Sequence, residues 1–447
     1  MTGRLGPAAR GAVGLSIGFV AFFSVIGADS RWLGALGAAI IRDGRIPHGV
    51  PYAAAPSGSW PNVTALAEVV FHGLLVAGPR GLLAAQLAAV AVALAVVARD
   101  ARVAGAGDGA IAAVVLITVI GAFPAFGVVR VQLFSIALFP VLFSLLRAEA
   151  RRPGRTVWLV VPLLTLWSNL HGAVLVGLAM VLAYLVLERA RRAPLEALCV
   201  AVAAALACCL TPAFQRTPHY FDGVLANEEA RRAVGLWAPL SLTRPFDIVL
   251  ALAALCLLVF ALRSRPRLWE LAALLALAGL TVHAARSGVW LLLAAAPAAA
   301  LGLGPVREAS ARVTRLAALA GLAIVAFGLA HGPGSTGAST RLVDRAIRLA
   351  AGSPILGQDV LAEQVALRGG TIEIGNPIDA FPRKDQSAYV DFLLGEPGGD
   401  VDVARARVVL VQRHGSAERR LARNPHFAAV GKDAHAVLFV RRSKAAG

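Results

Sequence analysis

The feature that most constrains the fold is a series of apolar segments separated by short arginine clusters. About eleven segments approach the ~20 residues that a helix needs to cross a bilayer. They are roughly 11–28, 81–98, 109–123, 130–147, 156–168, 172–188, 195–211, 246–263, 268–284, 286–303 and 314–331. Only 15% of the residues are charged, against about 25% in soluble domains. The chain is therefore predicted to be an all-α polytopic membrane bundle.

The charge balance has two readings. The net charge of +17 arises from 43 Lys and Arg against 26 Asp and Glu, and a basic balance can indicate nucleic-acid binding. Here the arginines form short clusters between apolar segments, as the excess of positive charge in cytoplasmic loops requires. We therefore expect membrane lipids, and no nucleic acid, as partners.

The arginine clusters also predict the topology, with the protein in the cell membrane. With a retained first helix and a cytoplasmic N-terminus, almost every cluster falls on the inner side. The clusters are at 99–102, 147–155, 189–192, 263–267 and 307–315, and the pair Arg231 and Arg232 is the exception. The segment 64–77 is too short to span and carries Glu68, so it is predicted to lie on the membrane surface.

This topology divides the chain. Residues 1–331 form the membrane domain, with outer loops at 29–62 and 211–245, and 332–340 ("GPGSTGAST") form a linker. Residues 341–447 are predicted to be a small α/β domain outside the cytoplasm. Its predicted strands are 371–375, 407–412 and 435–440, and its predicted helices are 341–350, 385–394 and 417–422.

Several polar residues fall at the outer membrane edge in this topology. Asp29 follows the first span, Arg130 opens another, and Asn169 and His171 lie at an outer turn, as Arg286 does at the next. Ionisable groups at membrane depth are costly unless they are paired or face a cavity. Each has an alternative: the arginines can reach lipid phosphates, His171 can be a satisfied turn histidine, Asn169 can cap a helix, and Asp29 can cap its own. Their shared depth favours a common site.

Five short motifs lie in order along the chain: "DGRIPHGVPYAAAPSGSW", "VRVQLFSIALF", "LWSNLHGAVLVG", "LTPAFQ" and "AARSGVWLLLAAAP". With an acid directly after the first span and a surface helix after the first loop, this layout resembles an uncharacterised bacterial branch of the GT-C superfamily. That superfamily contains integral membrane glycosyltransferases such as the protein O-mannosyltransferases and the lipid A aminoarabinose transferase. Two departures are "DSR" at 29–31 in place of an acid pair, and "GLWAP" at 235–239 without an acid before the tryptophan.

The resemblance implies transfer of a sugar from a polyprenyl-phosphate donor to a glycan, lipid or protein acceptor at the outer face, as a hexosyltransferase would perform it. Asp29 is then the general base for the acceptor hydroxyl. Arg130 and Arg286 hold the lipid phosphate, and His171, Asn169 and more weakly His48 orient the substrate. Because carboxylates are scarce, we expect no cofactor and no tightly held divalent ion, although metal use stays open.

Two other functions fit the same sequence. Polar residues in a membrane bundle are also typical of a transporter or flippase for a lipid-linked or anionic substrate, although they then gather near the midplane. The missing acids are compatible with a non-catalytic GT-C-like scaffold whose outer domain binds a partner.

Overall fold

The computed structural model describes residues 4–232, 238–307 and 310–442, and helices predominate in them. In chain order the helices are α1 (Pro7–Phe23), α2 (Ser30–Asp43), α3 (Ala65–Val76), α4 (Gly78–Val103), α5 (Asp108–Gly121), α6 (Phe123–Gly127), α7 (Leu133–Arg151), α8 (Val160–Ser168), α9 (Val174–Leu187), α10 (Pro194–Ala207), α11 (Thr217–Leu225), α12 (Glu228–Arg232), α13 (Pro245–Arg263), α14 (Leu268–His283), α15 (Gly288–Leu303), α16 (Ala311–His331), α17 (Thr340–Ala350), α18 (Val360–Leu367), α19 (Arg383–Leu394), α20 (Asp400–Arg405) and α21 (Ser416–Ala422). The strands are β1 (Val25–Ile26), β2 (Val128–Val129), β3 (Gly334–Ser335), β4 (Ile355–Gly357), β5 (Val408–Gln412), β6 (Phe427–Lys432) and β7 (Ala436–Arg441).

The chain folds into two compact units. The helical unit consists of Met1–Val25, Ala77–Thr211 and Trp237–Gly334, and the mixed unit consists of Ile26–Val76, Pro212–Leu236 and Ser335–Gly447. Both units are thus assembled from three separate stretches of sequence.

The helical unit confirms the polytopic bundle, because each predicted span coincides with one of its helices. Within the described residues, five segments are long and apolar enough to cross a bilayer: Gly78–Val103, Leu133–Arg151, Pro245–Arg263, Ala285–Leu303 and Ala311–His331. Other apolar helices, including α1, α5, α10 and α14, have 10–17 residues. The protein is a multi-pass membrane protein.

Glycines hold the first and last helices of this unit together. A Cβ on Gly18 of α1 would lie 2.8 Å from the carbonyl oxygen of Gly321 on α16, and one on Gly321 would lie 2.4 Å from the Gly14 backbone. One on Gly328, two turns further along α16, would lie 2.8 Å from the Ala21 oxygen. Small residues let membrane helices approach closely and gain dispersion energy that lipid tails do not supply.

A buried ion network joins three helices of the helical unit. Arg147 of α7 contacts Asp100 of α4 at 3.1 Å and Glu270 of α14 at 2.6 Å, and Arg151 adds a second contact to Asp100 at 3.1 Å. The Arg147 and Asp100 side chains are 8% and 3% exposed. A buried charge requires such partners because its desolvation costs several kcal/mol.

The mixed unit contains a four-stranded sheet in the order β4-β5-β7-β6. β4 runs parallel to β5, and β5, β7 and β6 form antiparallel pairs. α17 and α18 pack on the sheet through a cluster that includes Val343, Leu361 and Val365. The predicted strands 407–412 and 435–440 and the three predicted helices are confirmed. The predicted strand 371–375 is wrong, because only Ile372 pairs there, in isolated bridges to Ile355 and Ala53.

The bridge to Ala53 belongs to a long loop that joins α2 to α3. The Ala54 and Ala55 amides donate to the Ile372 and Glu373 carbonyls at 2.8 and 2.9 Å, and the Ile372 amide donates to the Tyr52 carbonyl at 2.9 Å. The polypeptide of this loop is therefore pinned to residues that lie over three hundred positions later in sequence.

Candidate functional site

Asp29 has an uncommon backbone conformation at the start of α2. Its φ is +79° and its ψ is −33°, a region that costs a non-glycine residue about 1–3 kcal/mol and concentrates at functional sites. Although Asp29 occupies the N-cap position, its side chain makes no capping hydrogen bond. Its Oδ1 accepts a hydrogen bond of 3.2 Å from Trp32 Nε1 instead. The capping role considered for Asp29 is therefore wrong.

Glu363 of α18 fixes the backbone of Asp29 through a hydrogen bond. Its Oε1 accepts the Asp29 amide at 2.9 Å and the Asn376 Nδ2 at 2.8 Å. The side chain is fully buried, and Oε2 has no partner within the part of the chain that the structure describes. Burial, followed by the charges of Asp29 and Asp359, raises the pKa of Glu363 to about 8. At neutral pH this carboxyl is mostly protonated, and Asp29 gains a fixed backbone position without a second full negative charge beside it.

A cation, Arg31, lies in the first turn of α2, two residues after Asp29. Arg31 is 8% exposed, and its Nη2 donates to Ser335 Oγ at 3.2 Å while Nη1 has no partner among the described residues. Burial lowers the pKa of Arg31, and the charge of Glu363 acts in the opposite direction. This places a buried guanidinium with an unused donor in the neighbourhood of the Asp29 helix.

Two further carboxyls of the mixed unit have raised pKa values. Glu68 is fully buried on α3 and accepts from Asn62 Nδ2 at 2.8 Å, and burial raises its pKa to about 7. Asp379 accepts from Trp60 Nε1 at 2.9 Å, and burial raises its pKa as well. The charges of Asp379, Glu68 and Asp29 all act on the phenol of Tyr220, whose pKa burial raises far above its usual value. The Tyr220 hydroxyl is therefore electrostatically coupled to three carboxyls.

In the helical unit, His171 lies in the turn between α8 and α9, outside both helices. The Trp167 indole donates to Ser135 Oγ at 2.6 Å, and Ser135 Oγ lies 2.6 Å from His171 Nδ1. The Ser135 hydroxyl carries one proton, and when that proton is donated to Nδ1 the His171 proton lies on Nε2. Burial, with the charges of Arg286 and Arg130, lowers the pKa of His171 to about 3. The ring is therefore neutral.

The two arginines act on His171 from different elements. Arg130 follows β2, and its Nε is buried with no partner within the described residues. Arg286 lies in the turn between α14 and α15. The structure thus brings Arg130, His171 and Arg286 of the predicted site into one electrostatic group, with Ser135 and Trp167 as supports that the sequence did not single out.

Asn169 and His48 have plainer environments. The Asn169 amide donates to the carbonyls of Thr165 at 2.8 Å and Leu210 at 2.7 Å, which fixes the turn that carries His171. His48 is exposed in the loop between α2 and α3. Most of "GLWAP" (235–239), namely 235–237, lies outside the described residues. Among the residues described, no three His, Cys, Asp or Glu side chains are arranged to hold a metal ion.

Glu363 was missed by the sequence interpretation for a physical reason. It is the one acid of the apolar stretch "VLAEQVAL", and a single acid on a helix is usually solvent-facing. Its link to Asp29 spans 334 positions in sequence, so no local pattern reveals it.

Comparison with solved structures shows what this architecture resembles. The crystal structure of ArnT from Cupriavidus metallidurans bound to undecaprenyl phosphate matches with a TM-score of 0.55 and 14% identity, over 98% of each chain. The chain has a GT-C-like fold. The apo form of the same ArnT matches with a TM-score of 0.54 and 15% identity, over 96% of each chain. No protein-family model and no curated protein sequence matches the chain.

Proposed function

We propose that the protein is a membrane glycosyltransferase that transfers a sugar from a polyprenyl-phosphate donor to an acceptor hydroxyl at the outer face of the membrane. The GT-C-like fold alone does not determine an activity. The observation that carries the proposal is Asp29, a strained acid whose carboxylate is not spent on capping its helix.

Asp29 acts as the general base in this proposal. A carboxylate held in a fixed position removes the acceptor proton as the oxygen attacks the anomeric carbon, and the bond to the lipid phosphate breaks. Glu363 Oε1 fixes the Asp29 backbone, and the Trp32 indole fixes the side chain. Positioned general bases contribute about 10²–10⁴ in rate.

The helical-unit group receives the lipid phosphate. Undecaprenyl phosphate is bound in the similar ArnT structure, and the chemistry of Arg130, Arg286 and His171 fits the same ligand here. Guanidinium groups pair with phosphate oxygens, and a neutral imidazole adds a donor without adding charge. Asn169 then acts indirectly, by holding the His171 turn, and His48 contributes from the loop after α2.

The proposed orientation has the N-terminus in the cytoplasm and residues 341–447 outside it, as the arginine clusters indicate. A hexose is the proposed sugar. We correspondingly propose three segments: a membrane domain at 1–331, a linker at 332–340 and an outer domain at 341–447.

Two measurements on the purified protein in vesicles test the reaction. A panel of undecaprenyl-phosphate hexoses is supplied with membrane extract as acceptor, and release of undecaprenyl phosphate is followed. Asp29→Asn should lower release about 100-fold or more, with unchanged binding of undecaprenyl phosphate. Asp43→Asn is the matched control, because Asp43 lies on the same helix, is exposed and pairs with Arg42.

The alternatives give different results in the same vesicles. A flippase would move the labelled lipid between leaflets without releasing its phosphate, and a scaffold would do neither. Full release by Asp29→Asn would refute the general-base role. Arg130→Ala should weaken undecaprenyl phosphate binding about tenfold or more, through loss of a charged hydrogen bond, and unchanged binding would refute the phosphate role.

A further inference from the structure

A cavity in the mixed unit lies apart from the residues assigned above. Its volume is about 230 Å³. One wall is the loop segment Ala54 to Pro56, and the other walls carry Glu373, Asp385, Asp402 and Arg405. The lining therefore has three acids and one base.

The walls of this cavity are fixed by backbone contacts. The Ala54 and Ala55 amides donate to the carbonyls of Ile372 and Glu373, which locks the loop wall to the wall that carries Glu373. The end of α20, where Asp402 and Arg405 lie, is held by Arg441, whose Nη2 donates to the Val403 carbonyl at 2.6 Å. Walls fixed in this way are typical of a preformed binding site.

Asp402 is the group that points to a ligand. It is 5% exposed, it lines the cavity, and its Oδ2 is buried with no hydrogen-bond partner within residues 4–232, 238–307 and 310–442. A buried carboxylate oxygen without a partner costs about 1–3 kcal/mol or more, and a native structure rarely retains one without a reason. A donor from a bound molecule would remove this cost.

The charges in the cavity indicate that the hydrogen-bond donor of the ligand is a cation. Glu373 and Asp385 face Asp402 together with Arg405, so three carboxyls outnumber a single guanidinium. Burial raises the pKa of Asp402 to about 6 and also raises that of Glu373. Such shifts disappear when a cation enters, because an opposite charge stabilises the ionised carboxylates.

The size of the cavity favours an organic cation over a bare metal ion. A bare ion would leave most of the about 230 Å³ unfilled. Drug-sized ligands occupy about 300–1,000 Å³, so the cavity is suited to something smaller. We propose that this cavity binds a small polar organic molecule with a primary ammonium group, and that the ammonium donates to Asp402 Oδ2. This site is independent of the proposed sugar transfer.

Binding of two matched polyols to the full-length protein in detergent tests the proposal. Glucamine and sorbitol differ in one amino group, and their dissociation constants are measured by titration calorimetry. At pH 7.5 glucamine should bind at least about tenfold more tightly, because a charge-assisted hydrogen bond contributes about 1.5–3 kcal/mol. At pH 5 the difference should shrink, as Asp402 and Glu373 take up protons.

Variants locate the effect. Asp402→Asn should remove the preference for glucamine, and Glu373→Gln, at a half-exposed position, should reduce it if the first variant folds poorly. Asp400→Asn is the control, because Asp400 lies on the same helix, pairs with Arg420 and does not line the cavity. The proposal is overturned if sorbitol binds as tightly as glucamine, or if the Asp402 and Asp400 variants behave alike. Neither outcome depends on whether the protein transfers sugars from a lipid-linked donor.

Discussion

Replacing Glu363 with glutamine changes how stability depends on pH. The pKa of Glu363 is raised from 4.5 to about 8 in the folded protein, mainly by burial. A raised carboxyl pKa means that the folded state holds a proton that the unfolded state releases. The stabilisation is complete below about pH 4.5 and is lost as the pH rises toward 8. Glutamine is uncharged, so Glu363→Gln should abolish this loss while still accepting from the Asp29 amide.

The magnitude follows from the shift. Each pH unit between 5 and 8 lowers the free energy of unfolding of the wild type by about 1.4 kcal/mol through this group. For a unit of 150–250 residues, each kcal/mol corresponds to about 2–4 °C in Tm. The variant should therefore gain roughly 3–6 °C on the wild type per pH unit. Glu68 and Asp402, with raised pKa values of their own, titrate in both proteins and cancel in the difference.

Thermal unfolding followed by tryptophan fluorescence at pH 5, 6, 7 and 8 measures this difference. The control is Glu396→Gln, because Glu396 is 51% exposed and pairs with Arg232, an arrangement worth about 1 kcal/mol or less. If the Tm curves of Glu363→Gln and wild type run parallel across this range, Glu363 is ionised in the fold and the reasoning fails.

Three further outcomes are expected. Gly321→Ala should lower the Tm, because overpacking costs about 1–3 kcal/mol. Gly279→Ala should not lower it, because nothing lies within 4 Å of the added carbon. Equal Tm shifts would contradict the close approach of the two helices. Asp100→Ala should destabilise the protein by about 1–3 kcal/mol because Arg147 loses a buried partner, and an unchanged Tm would contradict that. Ser135→Ala should weaken undecaprenyl phosphate binding without lowering the Tm by more than a few degrees, measured by calorimetry, and unaltered affinity would remove the serine from the site.

The membrane bundle was predictable because its signal is local. Each span is an apolar run of nearly fixed length, and arginine clusters separate the runs. The predicted helix 64–77 appears as α3 (Ala65–Val76), and its location on the membrane surface stays a prediction. Short apolar runs rich in valine likewise revealed β5 and β7, which are central in the sheet. β4, with three residues, is too short to leave a pattern.

The position of Asp29 after the first span was visible in the sequence, but its conformation was not. Sequence alone allowed a capping aspartate, and only the folded chain shows a positive φ that a carboxyl 334 positions away holds in place. The same holds for Ser135 beside His171 and for Asp402 in its cavity. Patterns of hydropathy and charge involve residues that are close in sequence, so they can be recognised from the sequence alone. Burial and hydrogen bonding between distant segments exist only after folding, and it is these that shift the pKa values and fix the site.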